Sequence, residues 1–295
     1  MRDQAERLRA LVADAGTDGR RRESTNKTRV ISITSGKGGV GKTTLAVNLA
    51  LAAQQAGVAT VLFDADLGLA NLDIVLGVFP RYNLLHVLRG EKTIDEIICA
   101  GPGGLRLVAG GSGLAELANL NKQQLGRFIA GLAELDNSSD LILIDTGAGL
   151  ADSVLSFLYA SQEIIVVTTP EPTAITDAYA VIKLVSQHES KPIHVVVNRA
   201  HNEQEARAVF TKMAATATRF LDININFAGW IPEDSLVTRA IISQQPILLG
   251  HPSSRVAIAV HQLQAALFSG LQAEALPTET GLQAFFSRLT RFLGG

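Results

Sequence analysis

Cysteine is nearly absent from this chain of 295 residues: Cys99 stands alone. No disulfide can therefore form within the chain, and no C-x-x-C pair is present for a metal or a cluster. A surplus of charge of one sign is lacking too. Lys and Arg number 26 against 28 Asp and Glu, a formal net charge of -2, which argues against a general nucleic-acid binder, because sequence-independent affinity needs many cationic phosphate contacts. No apolar run approaches the length of a membrane span and no secretory signal is read at the start, so a soluble, cytoplasmic protein is expected. What is there is 47% hydrophobic and 18% charged residues, enough for a sizeable core.

From Val30 onward apolar runs alternate with helical stretches. Runs at 60–64, 105–109, 141–145, 164–168, 193–198 and 225–230 read as buried strands. Right-handed crossovers then place helices on both faces of a mostly parallel, doubly wound sheet. Ligands of such sheets bind beyond the carboxyl ends of the strands, so the polar residues that end those runs are the ones to examine.

The first run ends in G-K-G-G-V-G-K-T-T, comprising Gly36, Lys37, Gly38, Gly39, Val40, Gly41, Lys42, Thr43 and Thr44. It lies between the strand-like Val30 to Ile33 and the helix-like Leu45 to Ala50, the strand-loop-helix setting of a phosphate-binding P-loop. Glycines let the backbone curl around a polyphosphate, with N–H groups and a helix N-terminus aimed at the negative charge. Lys42 should then meet the β- and γ-phosphates of a nucleotide, and Thr43 should coordinate Mg²⁺. One lysine is surplus. Lys37, near the loop's start, is a candidate for reaching a second phosphate group across a subunit interface.

Two more strand ends carry carboxylates. The run ending F-D-A-D supplies Asp64 and Asp66, an acidic pair that would repel a triphosphate unless Mg²⁺ or a water stood between them. The run L-I-L-I-D-T-G-A-G ends in Asp145, placed to hold Mg²⁺ through water, while Gly149 lets the following loop respond to the γ-phosphate. Thr43, Asp64 and Asp145 are thus the expected metal set.

The two-lysine loop resembles the deviant Walker A motif of the MinD/ParA family of dimerising ATPases, and the chain from Arg29 to about Leu267 is similar to MinD-type members. The resemblance implies a homodimer formed with ATP, in which Lys37 crosses to the partner's nucleotide and joins Lys42 and Asp66 as the catalytic set. Asp66, the second aspartate of D-x-D, would position the attacking water. V-V-V-N-R and G-W-I-P-E-D resemble the adenine-side elements, with Asn198 on the base edge beside Arg199, and Ile231, Pro232 and Glu233 lining the pocket. Helix capping by Glu233 and Asp234 is an equally open reading.

Both ends add to this core. Residues 29–275 form the expected ATPase domain, 14–28 a flexible polar linker, and 1–13 a short amphipathic helix with Ala5, Leu8, Leu11 and Val12 at helical spacing. Within residues 276–295, Leu282, Phe285, Phe286, Leu289, Phe292 and Leu293 form one apolar stripe on a helix. Such a stripe suits reversible attachment to lipid of the inner membrane face, two copies in a dimer binding more tightly than one. The alternative is a last helix packed on the protein's own core.

D-Q-A-E-R-L-R at Asp3 to Arg9 matches the D-Q-A-x-x-L-R element of the FlhG (FleN/YlxH) family of flagellar number and placement regulators. That resemblance implies stimulation of the GTPase FlhF through Asp3, Gln4, Leu8 and Arg9, with Gln4 the active residue. It also implies a flagellar transcription activator or a basal-body component as a target, while the charge balance argues against a direct nucleic-acid partner. A division-site MinD would share the ATPase and tail without the D-Q-A start. A non-catalytic nucleotide-binding adaptor is disfavoured by the intact Lys42, Thr43, Asp66 and Asp145.

Overall fold

Strands form where β-branched and leucine-rich runs can be buried on both sides, as the parallel sheet of an α/β protein requires. The computed structural model describes residues 28–66, 72–111, 116–117, 122–268 and 281–293. The D-Q-A element and the linker lie outside these residues, as does the segment 67–71 after Asp66.

The described strands are β1 (Arg29–Ser35), β2 (Thr60–Ala65), β3 (Cys99–Ala100), β4 (Arg106–Ala109), β5 (Leu141–Ala148), β6 (Glu163–Thr168), β7 (Ile193–Ala200) and β8 (Asn226–Pro232). They pair in the order β3-β4-β2-β5-β1-β6-β7-β8. All neighbours run parallel except the two-residue edge strand β3, antiparallel to β4. So short a strand carries no periodicity that a sequence could reveal. Strand β5 continues past Asp145, because Ser35 at the end of β1 pairs with Ala148.

The described α-helices are α1 (Lys42–Gln55), α2 (Leu72–Leu76), α3 (Leu84–Leu88), α4 (Lys122–Asn137), α5 (Asp152–Ala160), α6 (Pro172–His188), α7 (Glu203–Leu221), α8 (Ser235–Ile242), α9 (Ile247–Gly250), α10 (Arg255–Phe268) and α11 (Leu282–Leu293). Alternating strand residues separate the two faces of the sheet. Ile31, Ile33, Leu62, Leu143 and Ile165 pack with α1, α9 and α10. Val30, Phe63, Ile142 and Ile144 point the other way, towards α4, α5 and α11, and Ile164, Val166 and Val195 join α5, α6 and α7. Strand β1 lies between β5 and β6, where the chain's connections diverge to opposite sides, so the crevice of the doubly wound sheet opens at the end of β1.

The tail's apolar stripe is present, and in this structure it faces the protein's own core. Leu282, Phe285, Phe286 and Leu289 are fully buried. Phe286 meets Phe63 and Phe128 edge-on, with ring centroids 5.9 and 5.0 Å apart, while Phe285 lies 6.0 Å from Phe157. Phe292 sits at the margin, against Tyr159 and His188. Helix α11 covers strand residues that would otherwise be a contiguous exposed apolar patch, which explains why the stripe docks: burying four such side chains stabilises the docked form by roughly 6–12 kcal/mol before any ordering cost. Lipid can compete for this face only if the helix first leaves the groove.

Candidate nucleotide site

The P-loop joins β1 to α1, and close packing dictates two of its glycines. A Cβ on Gly36 would stand 2.2 Å from the backbone carbonyl of Asp177 on α6, and one on Gly41 would stand 2.3 Å from Asn198 Nδ2. Gly41 also has φ of 91°, in the left-handed region, as it turns the chain into α1. No side chain caps α1, so the N–H groups of its first turn and the positive end of its dipole face the crevice. That is an anion site by construction.

Lys42 Nζ donates to Asp145 Oδ1 at 2.7 Å, with both side chains buried, and lies 3.5 Å from Thr43 Oγ1. Burial pushes the Asp145 carboxyl up from its ordinary value, and the neighbouring Lys42 charge and hydrogen bond oppose that. Asp64 stands opposite Asp145 in the β2–β5 register. Its pKa is pushed up to about 7, chiefly by burial, with the bond from the Asp66 N–H opposing and the charges of Asp145 and Asp66 adding to the rise. Two carboxyls and one ammonium share this buried corner, which leaves an excess of acid. The donor chemistry of Thr43, Asp64 and Asp145 is hard oxygen, the kind Mg²⁺ takes from one or two carboxylates together with nucleotide phosphates. Among the described residues no cluster of three or more His, Cys, Asp or Glu could hold a metal by itself.

Asp66 lies beside the carboxyl end of β5: a Cβ built on Gly147 would come within 3.7 Å of its carboxylate. The loop that follows β5 is tied to the P-loop strand, the Gly149 N–H donating to Ser35 O at 2.9 Å. Lys37 is the exposed lysine of the pair. Its ammonium is 3.0 Å from Glu171 Oε2 and 3.1 Å from Thr173 Oγ1, at the N-terminal end of α6. Sequence reasoning missed these two holders, although E-P-T at a helix start, with proline in the first turn, marks that end of α6.

A cavity of about 540 Å³ adjoins the P-loop. It is lined by Gly41, Thr44, Asn198, Arg199, Ile231, Pro232 and Glu233, so it gathers every residue expected on the base side. Leu45, Val237, Ile241, Val256 and Val260 make its apolar walls. Those from α8 and α10 had no signal in the sequence, since neither helix carries a polar motif. Asn198 Nδ2 donates to Val40 O at 2.7 Å, tying the base side to the P-loop. Arg199 holds φ of 57°, an uncommon conformation for a side chain of its size and one found where a site over-determines the backbone. The capping question divides: Asp234 caps α8 by accepting from the Leu236 N–H at 2.9 Å, and Glu233 lines the cavity.

A phosphate loop, buried acidic strand ends and an adjoining cavity, all at the carboxyl edge of a doubly wound sheet, define a P-loop nucleotide-binding protein. Residues 31–247 match the CobQ/CobB/MinD/ParA nucleotide binding domain. The chain is 40% identical over 237 residues to the antiactivator FleN of Pseudomonas aeruginosa, covering 80% of this chain and 85% of that one. It is 36% identical over 284 residues to the flagellum site-determining protein YlxH of Helicobacter pylori, covering 92% and 93%. Among solved structures it resembles MinD of Pyrococcus horikoshii complexed with Mg-ADP, at a TM-score of 0.66 and 26% identity over 84% of this chain and 99% of that one. MinD in the MinC:MinD complex of Aquifex aeolicus gives 0.65 and 27%, over 86% and 99%. The chain belongs to the MinD/ParA family of ATPases, and within it to the FlhG (FleN/YlxH) type.

Proposed function

We propose that this ATPase is a slow nucleotide switch that regulates the number and placement of flagella. The observation that carries this reading is the joint presence of a two-lysine P-loop and similarity to FleN and YlxH over most of the chain. ATP joins two subunits, and Thr43, Asp64 and Asp145 would hold Mg²⁺, which would neutralise charge on the phosphates. Binding requires Lys42 to leave Asp145 for phosphate, freeing that carboxylate for the ion. Lys37 leaves Glu171 and Thr173 and crosses to the partner's nucleotide. Its existing bonds lie in solvent and are worth at most about 1 kcal/mol, so they hold it loosely.

Asp66, beside the carboxyl end of β5, orients the attacking water, and catalysis is positioning and charge stabilisation. Asn198, Arg199, Ile231, Pro232 and Glu233 receive the adenine. The dimer releases α11 to the inner face of the cytoplasmic membrane, and Gln4 in the D-Q-A element stimulates FlhF. A flagellar transcription activator or a basal-body component is the further target.

The test is ATP turnover, measured with and without anionic vesicles and FlhF, together with the mass of Asp66→Ala in ATP. A trapped dimer, faster turnover on vesicles and loss of FlhF stimulation in Gln4→Ala are expected. An Asp66→Ala protein that stays monomeric with ATP removes the dimer switch. Vesicle binding equal with and without ATP removes nucleotide gating.

A further inference from the structure

Helix α11 begins where its backbone should be least satisfied, since its leading N–H groups have no partner within the helix. Here a side chain from another element supplies the partner. Asp136, near the end of α4, accepts from Leu282 N at 2.5 Å through Oδ1 and from Gln283 N at 3.0 Å through Oδ2. One carboxylate thus caps the tail from 146 and 147 positions away in sequence. Gly281 allows the approach: its φ is 98°, and a Cβ there would stand 3.0 Å from both carboxylate oxygens.

Asp136 is itself fixed in place, because Thr28 Oγ1 donates to its backbone carbonyl at 2.6 Å. Burial pushes its carboxyl above the ordinary value, and the two backbone N–H bonds oppose that rise, as expected of an acid placed to serve one partner. The opposite half of the tail is held differently. Arg288 Nε donates to Ala160 O at 2.9 Å, at the end of α5, the helix that follows the nucleotide-side loop after β5.

We propose that Asp136 is the latch of the tail: its carboxylate caps α11 in trans and sets how readily the helix leaves its groove. The membrane consequence rests on the function proposed above; the latch itself does not. The Arg288 hold lies on the helix that leads to the nucleotide, whereas the Asp136 hold lies on α4, away from it. Asp136 therefore sets the threshold that the nucleotide must overcome. Loss of a helix cap shifts such an equilibrium by about tenfold.

Hydrogen exchange on the full chain without nucleotide reads this directly. In Asp136→Ala the amides of α11 should lose about tenfold in protection while those of β5 and β6 keep theirs. Asp136→Asn, which retains one acceptor oxygen, should fall between. Gly281→Ala should reproduce the alanine effect without altering charge at position 136. Unchanged α11 protection in Asp136→Ala overturns the latch, and so does an equal loss across tail and strands, which would make Asp136 a residue of general stability. Co-sedimentation with phosphatidylglycerol vesicles in the absence of ATP separates the two ideas. Increased binding alongside the exchange change supports both, while faster exchange with no gain in binding keeps the latch and removes the lipid reading.

Discussion

Two buried charged clusters lie at opposite edges of the same sheet, one at the amino ends of β1, β6 and β7 and the other at the carboxyl ends of β2 and β5, and they differ in sign of effect. At the amino ends, Arg29 pairs with Glu163 through Nε and Nη2, and His194 Nε2 lies 3.2 Å from the same carboxylate. Burial there pulls Glu163 upward, but hydrogen bonds from Arg29 and His194 and the Arg29 charge outweigh it, leaving a pKa of about 2. At the carboxyl ends burial wins, and Asp64 rises to about 7. One cluster is complete within the protein. The other has more carboxyl than cation, and an incomplete cluster at a strand mouth beside a P-loop marks function, because bound Mg²⁺ would supply the missing charge.

The comparison breaks most sharply by removing one partner from the complete cluster. Glu163→Gln leaves Arg29 and its desolvated charge without a counter-ion, so unfolding in urea should show a loss of about 3–5 kcal/mol with nucleotide binding retained. Next comes acid. A folded pKa below the unfolded one gives stability that is whole above about 4.5 and lost as pH falls towards about 2. The contribution is about 3 kcal/mol, and Glu163→Gln should flatten that limb of the stability profile.

The opposite slope belongs to Asp64. Its folded pKa lies above the unfolded 3.8, so the folded state binds the proton more tightly, and stability is lost as pH rises from 3.8 through about 7. Asp64→Asn should therefore stabilise the nucleotide-free protein by about 2 kcal/mol at pH 8 and much less at pH 4, while losing Mg²⁺-dependent ATP turnover. A Tm at pH 8 that does not rise would return Asp64 to the class of satisfied residues. The smallest stability effect is expected at Lys37. Its ion pair with Glu171 is exposed, so Lys37→Ala should change the unfolding free energy by under about 0.5 kcal/mol, and yet abolish ATP-dependent dimers seen by light scattering.

Much of this site was legible in the sequence because its chemistry is local. Gly36 to Thr44 carries its glycines, lysines and hydroxyl within nine consecutive residues, and Asp64, Asp145 and Asn198 each sit at or near the end of a run whose apolarity announces a buried strand. The residues that escaped notice reach the site from a distance. Glu171 and Thr173 meet Lys37 from more than 130 positions away, and Val256 and Val260 wall the cavity from a helix with no polar signature. The edge strand β3 was too short to show any period.

By itself the sequence determined the sheet, the helix layers, the phosphate loop and several of the residues that line the cavity beside it, since hydrophobic period and loop composition act over a few residues and need no distant partner. It also determined that the tail would be a one-sided helix. Which surface that side would meet was left to tertiary structure, because an apolar stripe gains similarly from lipid and from a protein groove. Phe63, Phe128 and Phe157 form that groove, and Asp136 closes it. Tertiary structure likewise set the two charged clusters apart, since whether a carboxyl is held low or pushed high depends on what surrounds it in space.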